Sequence, residues 1–171
     1  MIQRLLTLAA MLLLAACAKD APPSVAEAAK AAKAADTASL VLRFQAEAGL
    51  NPGPGGEPAP VRVRIFELKN PALFLRSDYF ALAERAPATL GADLIDQDEV
   101  LIQPSDQLSL ERTLDPATRH LGLLVGYREI DQAQWRTVVN VPSRQHSEYL
   151  ISLDARAVRS AVAASPSSPA Q

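Results

Sequence analysis

An antiparallel β-sandwich with one small helical insertion is the fold this sequence predicts. Between residues 39 and 154 the chain offers about seven short runs in which apolar and polar residues alternate. Turn signals separate those runs, and 13 prolines against 7 glycines sit at the joints, which suits loop-punctuated strands better than a helical bundle. One segment alone switches to helical spacing. A closed barrel made from the same strands is the alternative.

Residues 40–48 open the domain: Leu40, Leu42, Phe44 and Ala46 share one face, and Arg43, Gln45 and Glu47 the other. That is a half-buried strand. Residues 49–60 are too dense in glycine and proline for helix or ladder, and predict a long exposed loop. In residues 61–68, Val61, Val63 and Ile65 alternate with Arg62 and Arg64, and then Phe66 and Leu68 break the phase. The break predicts a bulge, or a strand covered on both faces. Asn70 and Pro71 end that strand. Residues 73–85 carry the helical spacing, with Phe74, Phe80, Leu82 and Ala83 as apolar positions. Ser77 is the N-cap candidate, and Pro87 closes the one or two short helices. Strand character returns at Val100, Leu101 and Ile102, and after a turn at Pro104, Ser105 and Asp106 it resumes at Leu108 and Leu110. Residues 120–127 form the most continuous apolar run and read as a central strand buried on both faces. Trp135, Thr137, Val139 and Val141 share a face, and Tyr149, Ile151 and Leu153 supply the last alternation. Residues 155–171 are small and polar with Ser-Pro steps, and predict a disordered tail.

The chain ahead of this domain has a different grammar. Arg4 precedes an apolar run over residues 5–14, shorter than the ~20 residues a membrane span needs. Ala15 and Ala16 follow, so residues 1–16 read as an export signal. Cys17 comes directly after the small pair. Leu14-Ala15-Ala16-Cys17 resembles the lipobox of bacterial lipoproteins. The resemblance implies a diacylglyceryl group on the Cys17 sulfur, cleavage before it and acylation of the new amine. Each buried acyl CH₂ contributes ~0.8 kcal/mol, so one chain holds weakly and several hold firmly. Ala18 rather than Asp follows Cys17, which by the same resemblance favours the outer membrane, facing the periplasm. Residues 17–38 are Ala-rich with no large apolar face, and read as a tether. Cys17 is the only cysteine. The domain over 39–154, roughly 115 residues, must then be held by its core without disulfides.

The formal net charge is −2 and no basic run occurs, which argues against nucleic acid as a partner. His120 and His146 are the only histidines, and no cysteine is left to complete a zinc site. Asp93, Asp96, Asp98 and Glu99 lack the central glycine and closing glutamate of a calcium loop, so they read as a solvated turn. The Gly53, Gly55, Gly56 loop has no following Gly-Lys-Ser/Thr, and its prolines remove amide donors a phosphate would need. Trp135 lies in strand phase, which favours packing over ligand stacking. The reading is therefore of a non-enzyme with no cofactor, metal or small-molecule substrate. Two other classes stay open. A ligand-carrying periplasmic lipoprotein would need a concave apolar pocket, and an envelope hydrolase would need a triad assembled from distant loops.

Several stretches, taken in order behind the lipobox, are similar to one family. They are Leu50-Asn51-Pro52, the run from Pro60 through Leu68, and Phe74 with Asp78-Tyr79-Phe80-Ala81-Leu82. Leu90-Gly91-Ala92-Asp93-Leu94, the run from Leu121 through Arg128, and Gln134-Trp135-Arg136 complete the set. The set resembles the TssJ (VasD/SciN-like) lipoproteins of type VI secretion systems. That resemblance implies a transthyretin-like sandwich anchored in the outer membrane. It also implies docking onto the large inner-membrane subunit (TssM, IcmF-like) and, with it, association with the smaller subunit TssL. In that family the loop between the first two strands contacts the large subunit. Carried over, Leu50, Asn51, Pro52, Gly53, Glu57 and Pro58 are the partner-binding candidates, Leu50 as an apolar anchor and Glu57 as a charged one. Proline stiffening lowers the entropy lost on binding; the plainer reading is a tolerated long hairpin loop. Replacing Cys17 by Ser should leave the domain folded by circular dichroism yet release it from sedimented membranes.

Overall fold

The computed structural model describes residues 38–143 and 145–163. The export signal, Cys17 and the tether up to residue 37 lie outside the described residues, as do 164–171 of the expected tail. In chain order the elements are β1 (Ser39–Ala46), β2 (Val61–Leu68), α1 (Ala72–Arg76), α2 (Tyr79–Leu90) and β3 (Leu94–Ile102). Then come β4 (Gln107–Thr113), β5 (His120–Val125), β6 (Arg136–Asn140), β7 (His146–Leu153) and β8 (Val158–Val162). The strands form two four-stranded sheets, ordered β4-β1-β7-β8 and β3-β2-β5-β6. All the strand pairs are antiparallel but one: β1 runs parallel to β7, with Ser39 opposite His146.

Alternation builds the core between the sheets. Leu40, Leu42 and Phe44 from one sheet meet Val61, Val63, Ile65, Leu121, Leu123 and Val125 from the other. The phase break in β2 has both of its expected causes. A register shift falls between Glu67 and Leu68, and a second apolar cluster covers the strand's outer face. There Phe66, Leu68 and Leu124 lie beneath Phe74, Leu82, Ala86 and Leu90 of the helices. Phe66 and Phe74 pack at 5.6 Å between ring centroids. Each such fully buried side chain contributes ~1.5–3 kcal/mol. Gly122 makes room for this cap: a Cβ there would lie 2.9 Å from the Phe74 ring.

The helices depart from the sequence reading in two ways. Asp78, not Ser77, is the N-cap of α2 and accepts from the Ala81 amide at 2.9 Å. Ser77 instead ends α1, its hydroxyl donating to the Leu73 carbonyl at 2.7 Å. Nor does Pro87 close the helix. It lies inside α2, which continues to Leu90 with a kink at Arg85. Proline has no N–H, so the carbonyl of Ala83, four residues earlier, loses its helical donor. The Arg64 guanidinium replaces it, donating to the Ala83 carbonyl and, at 3.2 Å, to that of Leu82. Arg136 does the same for α1, donating to the Phe74 and Ser77 carbonyls at 3.0 and 2.7 Å. Burial lowers the pKa of that guanidinium.

The tail reading also needs correction, because Val158–Val162 pairs with β7 as β8. An edge strand needs few apolar residues. Val158 alone of the five is buried, and its ladder bonds to β7 do the rest. Along that side the Thr137 and Ser160 hydroxyls meet at 2.8 Å and join the two sheets. Along the other side Arg112 of β4 reaches Asp98 of β3 at 2.9 Å and Glu67 at 3.9 Å. Glu67 is buried but satisfied by the Thr118 hydroxyl at 2.7 Å and the Asp115 amide at 3.2 Å. The Glu99 amide, and then Arg112, hold the Asp98 carboxyl below its ordinary range. Its contribution is present above the unfolded carboxylate pKa and is lost as pH falls through the folded value.

Strand register also gives the sandwich two poles. Ser39, Thr113 and His146 lie level, as do Gln45, Gln107 and Ser152. In the second sheet Leu68, His120 and Asn140 lie level at one end, and Leu124 and Arg136 at the other. The start of β1 and the end of β8 therefore share one pole. The loops after β1, β3, β5 and β7 gather at the opposite one, which we call the loop pole. With 8 residues in β1, the poles lie ~26 Å apart at ~3.3 Å per residue. Gly122→Ala should force the added methyl against Phe74 and lower stability by ~1–3 kcal/mol. A lower denaturant midpoint with the β spectrum retained would mark that outcome.

Candidate interaction surface

Asn51 organises the loop pole. Its backbone takes a positive φ of 50°, a conformation asparagine tolerates better than most residues. Its side chain is buried, and its amide donates to the Pro60 carbonyl at 2.9 Å, closing the β1–β2 loop on itself. Its oxygen accepts from the Arg128 amide at 2.8 Å, fastening that loop to the one after β5. Its own N–H donates to the Ala155 carbonyl at 3.2 Å, reaching the loop after β7. One residue thus bolts three loops together. Leu50, beside it, is fully buried in the inter-sheet core.

Two of the six sequence candidates therefore cannot offer side chains to a partner. Leu50 is a core residue, not an apolar anchor, and Asn51 is an internal brace. The other four remain accessible: Pro52 and Gly53 are half-buried, and Glu57 and Pro58 are exposed. The loop is not slack. The Gly53 amide donates to the Glu57 carbonyl at 2.8 Å, and the Ala59 amide to the Leu50 carbonyl at 3.0 Å. Glu57 reaches Arg128 at 3.5 Å. A side chain at Gly53 would displace that pair, since a Cβ there would lie 1.8 Å from the Glu57 carboxylate. Arg128 is the residue sequence reading passed over. Its signal was its place at the exit of the most apolar strand, where a charged residue must leave the core.

Other ion pairs knit the same pole. Arg156 meets Glu129 at 2.6 Å, and Arg159 meets Asp154 at 2.6 Å. Beside the β5–β6 loop lies a groove of about 460 Å³, lined by Tyr79, Phe80 and residues 127–132. Tyr79 packs edge-on against Trp135 at 5.5 Å, and the Arg136 guanidinium lies over the Trp135 ring at 4.5 Å. Trp135 is thus engaged in packing, as its strand phase predicts. Burial raises the Tyr79 hydroxyl's pKa, with Arg62 and Arg64 opposing. Burial, then the Asp154 charge, pushes the Tyr127 hydroxyl far above its ordinary range. The two histidines lie apart. His120 meets Asn140 at 3.1 Å and His146 meets the Ser39 hydroxyl at 3.0 Å. Among the described residues no group of three or more His, Cys, Asp or Glu could hold a metal ion.

A two-sheet sandwich with helices on one face and a braced loop pole defines a small β-sandwich interaction domain with a helical cover. The family model described as type VI secretion lipoprotein, VasD, EvfM, TssJ, VC_A0113 matches residues 38–156, and the chain belongs to that family. The T6SS lipoprotein TssJ1 from Pseudomonas aeruginosa is 42% identical, with a TM-score of 0.74 over 76% of this chain and 99% of that one. Serratia marcescens Lip, a membrane bound component of the type VI secretion system, shares the fold at 24% identity. Its TM-score is 0.68 over 72% of this chain and 97% of that one. A chain of the structure described as T6SS protein TssM C-terminal domain, from EAEC, is 26% identical. There the TM-score is 0.62, over 72% of this chain and 98% of that one. No protein with a curated description matches. Removing the Asn51 side chain as Asn51→Ala takes the partner from the part-buried Pro60 carbonyl and Arg128 amide, two hydrogen bonds worth ~0.5–1.5 kcal/mol each. Thermal unfolding should register the loss, and hydrogen exchange at the Arg128 amide should quicken.

Proposed function

We propose that the chain is a non-enzymatic tether of the type VI secretion membrane complex. Cys17 carries its lipid, in the periplasmic leaflet of the outer membrane. The loop between β1 and β2 docks the large inner-membrane subunit, TssM/IcmF-like, and through it TssL. The opposition of the two poles carries this reading. Residues 18–37 lead into β1 at the pole away from the loops, so a domain held by its amino terminus presents the loop pole outward from the membrane. Bracing by Asn51 and by the Gly53–Glu57 turn supports it further, because a preformed loop loses little entropy when it binds. The likeness to a chain of the structure described as the TssM C-terminal domain favours that subunit as the partner.

The exposed part of the loop is short of side chains, so backbone groups and the rings of Pro52, Pro54 and Pro58 must do much of the contact. The informative variant replaces residues 53–57 with a tight turn and keeps Leu50 and Asn51, which the fold needs. It should unfold at a temperature close to the parent and lose co-purification with the large subunit from detergent extracts. Undiminished co-purification would overturn the loop's assigned role.

A further inference from the structure

We infer that the groove between the first turn of α2 and the β5–β6 loop is a second part of the docking surface. It takes a protein segment that presents an apolar side chain next to a lysine or arginine. The inference rests on the loop reading above and adds to it the chemistry of the partner.

Groove and loop are continuous. Arg128 lines the groove, and its guanidinium is also the partner of Glu57 in the loop. The floor is aromatic and rigid. Phe80 stacks edge-on to Tyr79 at 5.4 Å, and Tyr79 to Trp135 at 5.5 Å. Yet Phe80 is 59% exposed, an unusual place for a phenylalanine held by ordered neighbours. An apolar side chain entering the groove would cover it at little entropic cost, since the ring is already fixed.

The charges select the flanking residue. Three arginines around the groove already have acceptors in this chain. Arg128 faces Glu57, Arg156 faces Glu129 and Arg62 lies 3.9 Å from Glu99. Arg64 is held by α2 carbonyls and by Gln97 at 3.0 Å. The carboxylates are in excess. Asp131 lines the groove and is exposed, with no ion pair among the described residues. Asp78, the cap of α2, lies two positions before Phe80 with only a backbone amide as partner among the described residues. A partner cation would find the Asp131 carboxylate in the groove and the Asp78 carboxylate at the adjoining start of α2, whereas Arg128 in the groove is already engaged by Glu57.

Full-length chain co-expressed with the large inner-membrane subunit tests this, with capture measured from detergent at low and high salt. Both side chains are exposed, so Phe80→Ser and Asp131→Arg should keep the parent's unfolding midpoint. Each should weaken capture by about tenfold or more, and Asp131→Asn should flatten the salt dependence. Leu101→Ser, an exposed apolar change on β3, should have no effect. If the groove variants are captured like the parent while the 53–57 replacement is not, the groove proposal falls and the loop reading stands. If the groove variants lose capture while the loop replacement keeps it, the groove assignment holds and the loop reading fails. Should Phe80→Ser alter only self-association in gel filtration, the occupant is a second copy and the proposal is wrong.

Discussion

The structure depends on one constraint: β2 and β5 must be dry on both faces. Val63 and Ile65 bury one side of β2 between the sheets, and Phe66 and Leu68 bury the other under the helices. A two-layer sandwich could not satisfy that pattern, because its outer faces meet water. The short helical segment is therefore a third layer, present over this sheet and not the other. On the opposite sheet the outer face is wet and ionic, with Arg43 bound to Glu148 at 3.1 Å. The helices also decide what the loop pole looks like. Holding α2 over β5 brings Tyr79 and Phe80 to the rim of the β5–β6 loop.

Rigidity at that pole comes from polar groups, not from apolar contact. Asn51 satisfies two part-buried backbone groups with one side chain and takes a positive φ in doing so. Arg64 and Arg136 act similarly where α2 is interrupted by Pro87 and where α1 ends. In each case a backbone break that would otherwise leave a carbonyl unpaired becomes the place where a side chain of the sheet attaches. A surface built this way loses little freedom when a partner arrives.

Most of the sheet architecture was legible because alternation has a fixed period and burial enforces it. The phase break at Phe66 even announced the covered face. What escaped was local and polar. Ser77 and Asp78 are both good caps, and only the geometry of the α1–α2 corner decides between them. Pro87 reads as a stop until Arg64, 23 positions earlier in the sequence, is seen to replace the missing bond. β8 carries too little apolar residue to signal a strand, since its pairing is with a neighbour and not with a core. Leu50 looks like a loop residue by its company of glycine and proline. Its apolar side chain was the better guide, because a leucine next to a buried asparagine turns inward.

The parallel pairing of β1 with β7 has a consequence for when the domain can close. The first strand made must wait for a partner 107 positions later, as the Ser39 to His146 contact measures. Until then β1 lies with an open side and half of its sheet missing, and such distant pairings form slowly. The sandwich closes only once β7, nearly the last strand, is available.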